Sequence, residues 1–152
     1  MKYNVGEKID NFKLPDQDEN EVSLKDYNGK KVLLSFHPLA WTGVCTKQME
    51  ALDRNYSIFE ENNTVALGLS VDPVPSKKAW AEDMGLKELK ILSDFWPHGD
   101  ISKGLDIFIE ESGISGRVNI LLDEEGKVKW YKEYDIPELL DIGEVLEEVK
   151  KK

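Results

Sequence analysis

Two short runs with no interior charge, KVLLSF at Lys31–Phe36 and TVALGLSV at Thr64–Val71, constrain the fold of this chain more than any other feature. A strand with one wet face alternates apolar and polar residues. A run that is apolar almost throughout belongs to a strand covered on both faces. After the first run the spacing predicts a helix from about Cys45 to Glu61, because Met49, Leu52, Tyr56 and Phe59 recur at intervals of three or four and make one apolar face. After the second, Ser76 is a predicted cap for a helix carrying Ala79, Trp80 and Met84.

A third short strand is predicted at Leu89–Leu92, and one or two helical turns within SDFWPHGDISKGLDIF. A fourth strand follows at Arg117–Asp123, which EEGK turns back into the antiparallel partner KVKWYKEY. Pro137 is the predicted start of a last helix ending near Lys150. Near the N-terminus, Phe12 and Leu14, then Val22 and Leu24, predict a small hairpin with one apolar side. Strands that alternate with helices pair in parallel, and the late hairpin adds antiparallel strands. The expected class is α/β: a central mixed β-sheet flanked by helices, with an N-terminal hairpin extension. This order resembles the thioredoxin fold. With no repeat, low-complexity tract or linker, residues 1–152 read as one domain.

The composition narrows the function by exclusion. Apolar residues make up 40% of the chain and charged residues 33%, which fits a soluble domain with a charged surface. A net charge of −10 argues against nucleic acid as a partner, and the closing Lys150–Lys152 run is too short to reverse it. No segment is long and apolar enough to span a membrane, and the first residues lack the pattern of a signal peptide. The single cysteine, Cys45, excludes a disulfide scaffold and any zinc site built on several thiolates. No cofactor or metal is expected, and a reducing cytoplasm is the expected setting.

The stretch HPLAWTGVC, His37–Cys45, carries the chemistry. It follows a buried strand and leads into a helix whose first turn holds the thiol. Unpartnered backbone N–H groups and the positive end of the helix dipole favour a thiolate there. Open α/β sheets place their sites at this end of the strands. Thr42 could set its hydroxyl beside the sulfur, Pro38 could shield it from water, and Gly43 allows close approach of a small ligand. Each also has an ordinary explanation: Thr42 as a helix N-cap, Cys45 as a buried small hydrophobe. The residues alone leave both readings open.

PLAWTGVC matches the Pro-x-x-x-Thr-x-x-Cys pattern of the peroxiredoxins, thiol peroxidases that reduce hydroperoxides. The chain resembles that family in three further blocks, VGEKIDNFKLPDQDENEVSLKDYNGKKVLLSFHP, LSDFWPHGDISKGLDI and GRVNILLDEEGKV. The resemblance implies that Cys45 attacks the terminal peroxide oxygen, Thr42 orients the peroxide, Pro38 shields the sulfenic acid, and Arg117 stabilises the thiolate from across the sheet. Without the resemblance, Arg117 reads as a surface ion-pair residue. His37 reads as a packed residue at a strand end or a general base, Trp41 as a packing or dimer-contact residue, and Gln48 as a weak candidate. His98 has no evident partner. No second cysteine is present, and the position five residues after Cys45 is Glu50. The resemblance is therefore to the one-cysteine type, recycled by an external thiol: thioredoxin, a glutaredoxin-like protein or a small thiol. It further implies a homodimer. A peroxide sensor or a redox-relay or chaperone-like binding protein would use the same thiol.

Overall fold

The computed structural model describes the whole chain, Met1–Lys152. An N-terminal hairpin pairs β1 (Lys13–Pro15) with β2 (Glu21–Ser23). Its four predicted residues Phe12, Leu14, Val22 and Leu24 are all buried on one side. β3 (Lys31–Phe36) follows and is buried at every position. The predicted helix over 45–61 is in fact two, α1 (Gly43–Arg54) and α2 (Tyr56–Glu61). The break falls at Asn55, whose side-chain amide donates to the Ala51 carbonyl at 2.8 Å and competes with continuation of the helix.

β4 (Thr64–Ser70) leads to α3 (Val74–Met84). Here the predicted cap is corrected. The helix starts before Ser76, because Pro75 fits its first turn, and the N-cap position is Pro73. β5 (Lys90–Ser93) and α4 (Asp100–Gly104) come next. A two-residue hairpin of β6 (Phe108–Ile109) and β7 (Ile114–Ser115) then leads into β8 (Arg117–Leu122) and β9 (Val128–Tyr134). The last helix, α5 (Ile142–Lys150), starts five residues later than predicted. Asp141 caps it by accepting from the Gly143 N–H at 2.9 Å, and Pro137 lies in a turn that Asp135 and Glu138 close.

The central sheet has the order β5-β4-β3-β8-β9. β3 runs parallel to β4, and β4 to β5; β8 is antiparallel to both β3 and β9. This is the expected mixed sheet. Its two faces follow from the two-residue period of a strand. Val32, Leu34, Phe36, Val118, Ile120 and Leu122 face the N-terminal hairpin. Leu33 and Leu121 face the core beneath the helices, with Met49, Leu52, Phe59 and Trp80. The same alternation carries Ser35, Asn119 and Arg117 onto the helix face. Gly68 on β4 leaves the space α1 needs: a Cβ there would lie 2.5 Å from Met49 Sδ and 3.5 Å from His37 Cε1.

One carboxylate ties α1 to the start of β5. Asp53 accepts from the backbone N–H groups of Lys87, Glu88 and Leu89, the last two at 2.9 Å. Asp53→Ala leaves the partly buried Leu89 N–H without its partner and frees the exposed Lys87 and Glu88 N–H groups to water. It is expected to cost about 1 kcal/mol, read from the midpoint of urea unfolding.

Candidate active site

Cys45 is the third residue of α1 and has no exposed surface. The N–H groups of the first turn have no intrahelical partner. Thr42 stands at the N-cap position, but its side chain does not cap; Oγ1 donates to the Leu39 carbonyl at 2.8 Å. No hydrogen bond joins Thr42 to the sulfur. The Thr42 carbonyl accepts from Thr46 Oγ1 at 2.8 Å, and Thr46 Oγ1 accepts from Trp80 Nε1 at 3.2 Å. That chain of bonds pins the first turn of α1 to α3. Trp41, just before, has φ +70°, a left-handed conformation that costs a non-glycine residue about 1 kcal/mol. Its indole N–H donates to Ser76 Oγ at 3.0 Å, which holds the bend and gives Ser76 its place. Pro38 is buried in the loop between β3 and α1.

Arg117 lies at the start of β8, only 3% exposed, and on the helix face of the sheet. Its Nη1 donates to Cys45 Sγ at 3.5 Å and to Gln48 Oε1 at 2.6 Å. Nε and Nη2 both donate to the Ile136 carbonyl, at 2.9 and 2.7 Å. It makes no ion pair with a carboxylate. The surface-pair alternative for Arg117 is thereby removed. A guanidinium buried without a counterion is costly, and a thiolate at Sγ is the anion that would compensate it.

Gln48 belongs to the site rather than to its margin. Its amide donates to Ser35 Oγ at 2.7 Å and to the Phe36 carbonyl at 3.3 Å. Ser35 in turn donates to Asn119 Oδ1 at 2.6 Å, and Asn119 donates to the Tyr134 hydroxyl at 3.3 Å. The Ser35–Asn119 bond falls on a paired rung of β3 and β8. This network fixes the rotamer of Gln48 and, through it, Nη1 of Arg117. Sequence reasoning missed Ser35 and Asn119. Their signal was a polar residue inside an otherwise apolar strand, Ser35 before Phe36 and Asn119 between Val118 and Ile120, on the face that meets α1.

His37 is fully buried against Trp80, with ring centroids 5.3 Å apart. Burial first, then Lys77, holds its pKa well below the usual 6.5, which disfavours the charged form. His98 does have a partner: Nε2 lies 2.7 Å from the Gly113 carbonyl, and the ring meets Phe95 and Phe108 edge-on. Trp80 is core, at 1% exposed, whereas Trp96 is 81% exposed. No helix is long and apolar enough to cross a membrane.

Known proteins resemble this chain along most of its length. The AhpC/TSA family profile matches residues 5–131. Alkyl hydroperoxide reductase E of Mycobacterium tuberculosis is 40% identical over 128 residues, covering 84% of this chain and 83% of that protein. Thiol peroxidase of Streptococcus agalactiae is 35% identical over 130 residues, covering 86% of this chain and 77% of that protein. The crystal structure of reduced Plasmodium vivax 2-Cys peroxiredoxin superposes with a TM-score of 0.88 at 31% identity, covering 95% of this chain and 79% of that one.

Proposed function

This chain belongs to the AhpC/TSA family of peroxiredoxins, and from that premise we propose that Cys45 is its peroxidatic thiol, served by Arg117, Thr42 and Pro38. The family activity is thiol-dependent peroxide reduction. The observation that carries the assignment is the buried Arg117 guanidinium, 3.5 Å from Sγ and without a carboxylate partner. The Cys45 thiolate attacks the terminal oxygen of the hydroperoxide. An S–O bond forms and the O–O bond breaks; sulfur is oxidised to sulfenic acid, and the leaving alkoxide or hydroxide takes up a proton. Arg117 and the first-turn N–H groups of α1 meet the negative charge as it moves from sulfur to the departing oxygen. Thr42 lies in the exposed lip of the site and orients the incoming peroxide. Pro38 helps keep water from the sulfenic acid.

The second half-reaction uses a thiol from outside. Cys45 is the only cysteine, so its sulfenic acid has no thiol in the same chain to condense with. Thioredoxin, a glutaredoxin-like protein or a small thiol forms the mixed disulfide with loss of water, and a second thiol returns Cys45. Sγ has no exposed surface, so this step needs the covering residues to yield. A reducing cytoplasm suits a lone thiol that must be returned after each cycle.

A homodimer is the assembly we favour. Leu39, Trp41, Phe95, Trp96, Ile136 and Leu139 are exposed apolar residues. They lie in loops at the end of the sheet where β3 and β5 finish and β8 begins, around the thiol. An apolar rim of this kind fits a protein contact.

The test is turnover. With a hydroperoxide and an excess of dithiothreitol or a thioredoxin system, each Cys45 is expected to consume many equivalents of peroxide. Consumption that stops at about one equivalent per thiol, with sulfenic acid found by mass spectrometry, would identify a sensor instead of an enzyme.

A further inference from the structure

On its side away from sulfur, the guanidinium of Arg117 is held by a single atom. Nε and Nη2 both donate to the Ile136 carbonyl oxygen. Two bonds that meet on one oxygen make a pivot, about which a planar fork can still rock. Nη1 stops the rocking. Its two N–H groups divide between Gln48 Oε1 at 2.6 Å and Cys45 Sγ at 3.5 Å. The tilt of the fork, and with it the reach to sulfur, is therefore set by where Gln48 places its oxygen.

Gln48 is placed in turn by residues that make no hydrogen bond to sulfur or to arginine. Arginine only donates, so the Gln48 atom that faces it is oxygen, and Nε2 points the other way. Nε2 donates to Ser35 Oγ at 2.7 Å and to the Phe36 carbonyl at 3.3 Å. Ser35 has one proton to give, and it goes to Asn119 Oδ1 at 2.6 Å. That leaves Asn119 Nδ2 as the donor to the Tyr134 hydroxyl at 3.3 Å. Every bond runs one way, from guanidinium to phenol, and turning either amide over sets donor against donor or acceptor against acceptor.

Gln48, Ser35, Asn119 and Tyr134 are all buried, so no water stands ready to replace a lost partner. All are neutral as well, since burial raises the Tyr134 pKa above the usual 10. They orient the guanidinium without setting an anion beside it. The next rung on the same face of the sheet is Leu33 opposite Leu121, so an apolar pair at 35 and 119 would simply extend the core. A polar pair is a costly filling for that place, and its bonds lead to Arg117.

We propose that Ser35 and Asn119 are positioning residues for the peroxidatic thiol, acting through Gln48 to hold Nη1 of Arg117 on sulfur. The inference rests on the reading of Cys45 as the attacking thiol. Without the Ser35 hydroxyl, Nε2 keeps only the Phe36 carbonyl at 3.3 Å. The amide turns to find a second acceptor, and Oε1 leaves Nη1. The fork then rocks about the Ile136 oxygen and meets sulfur for only part of the time.

Valine and threonine at position 35 separate this role from packing. The two have the same branched shape, and only threonine carries the hydroxyl. Ser35→Val is expected to slow oxidation of Cys45 by hydrogen peroxide about tenfold and to raise the midpoint for its alkylation by iodoacetamide by about half a pH unit. Ser35→Thr is expected to stay near the native chain in both. A core that is merely loosened would expose the thiol and speed alkylation at every pH, with the midpoint unmoved. Asn119→Leu frees the Ser35 hydroxyl to turn, and is expected to shift both readouts in the same direction by less. A double-mutant cycle tests the route. In Gln48→Leu the amide is already gone, so adding Ser35→Val is expected to change neither midpoint nor rate further.

A native alkylation midpoint in Ser35→Val would overturn the proposal. So would losses in Ser35→Thr as large as those in Ser35→Val, or a Ser35→Val effect that persists in full beside Gln48→Leu. If the position 35 variants do not fold, Asn119→Leu alone and beside Gln48→Leu makes the same cycle, and a flat or additive result there overturns it equally. If Cys45→Ser itself keeps peroxide turnover, the reading of Cys45 fails; if it is inactive and the Ser35 and Asn119 variants read as native, only the role of that pair does.

Discussion

Cys45→Ser is expected to fold as the native chain does and to lose at least about 10³-fold in peroxide turnover. A serine hydroxyl holds its proton far more tightly than a thiol, so no anion forms beside Arg117 to attack the peroxide. The rest of the site stays in place. Arg117 keeps its bonds to Gln48 Oε1 and the Ile136 carbonyl, and Nη1 finds the new hydroxyl where it found sulfur. Stability is expected to change by no more than about 1 kcal/mol, because the substituted atom is smaller and retains a donor. Peroxide consumption with excess thiol, beside a thermal melt followed by circular dichroism, checks both halves. Turnover above a tenth of native in a folded variant would move the chemistry away from position 45.

The parts of this site that could be read from the sequence are those whose neighbours in sequence are also neighbours in space. His37–Cys45 is one strand end, one loop and one helix start, and the free N–H groups of that start lie beside the thiol whatever the rest of the fold does. β3 and β4 were legible because strands covered on both faces have few polar residues, and those two read as nearly continuous apolar runs; β8 was legible from its apolar stretch Ile120–Leu122 and the turn that follows it.

What was not legible depends on register and on long side chains. Ser35 and Asn119 are 84 residues apart and meet only because β3 and β8 pair with those two residues opposite each other. Gln48 gains its role from standing one helical turn after Cys45, above that rung. Lys77, fully buried, was hidden by composition, since a lysine pair in SKKAW reads as a solvated face. Its spacing held a clue. Lys77, Trp80, Ala81 and Met84 fall on one helical stripe, and only Lys78 of the pair points away from it. The late start of α5 has the same origin. Pro137 suits a helix start locally, but the chain is still passing Arg117 there, with the Ile136 carbonyl turned to two of its guanidinium donors.

Arg117→Ala is expected to slow Cys45 oxidation by about 10²- to 10³-fold, the range for losing a charged donor aimed at a developing anion. Two losses combine. The thiolate loses its nearest cation, which moves the alkylation profile toward higher pH, and the departing oxygen loses the donor that meets its charge. A third effect is structural. Gln48 Oε1 loses one short hydrogen bond and the Ile136 carbonyl loses two, so the loop after β9 loosens and melting temperature falls. Arg117→Lys separates these effects. A lysine ammonium brings charge near sulfur but cannot reach Ile136, Gln48 and Sγ together with the planar fork that arginine uses. It is expected to recover part of the alkylation profile and little of the melting temperature. Stopped-flow Trp fluorescence during oxidation by hydrogen peroxide, with alkylation measured across pH, reads the first two effects. If Arg117→Ala oxidises as fast as the native chain, the buried guanidinium is there for the loop alone, and the charge on sulfur must be met by the first turn of α1.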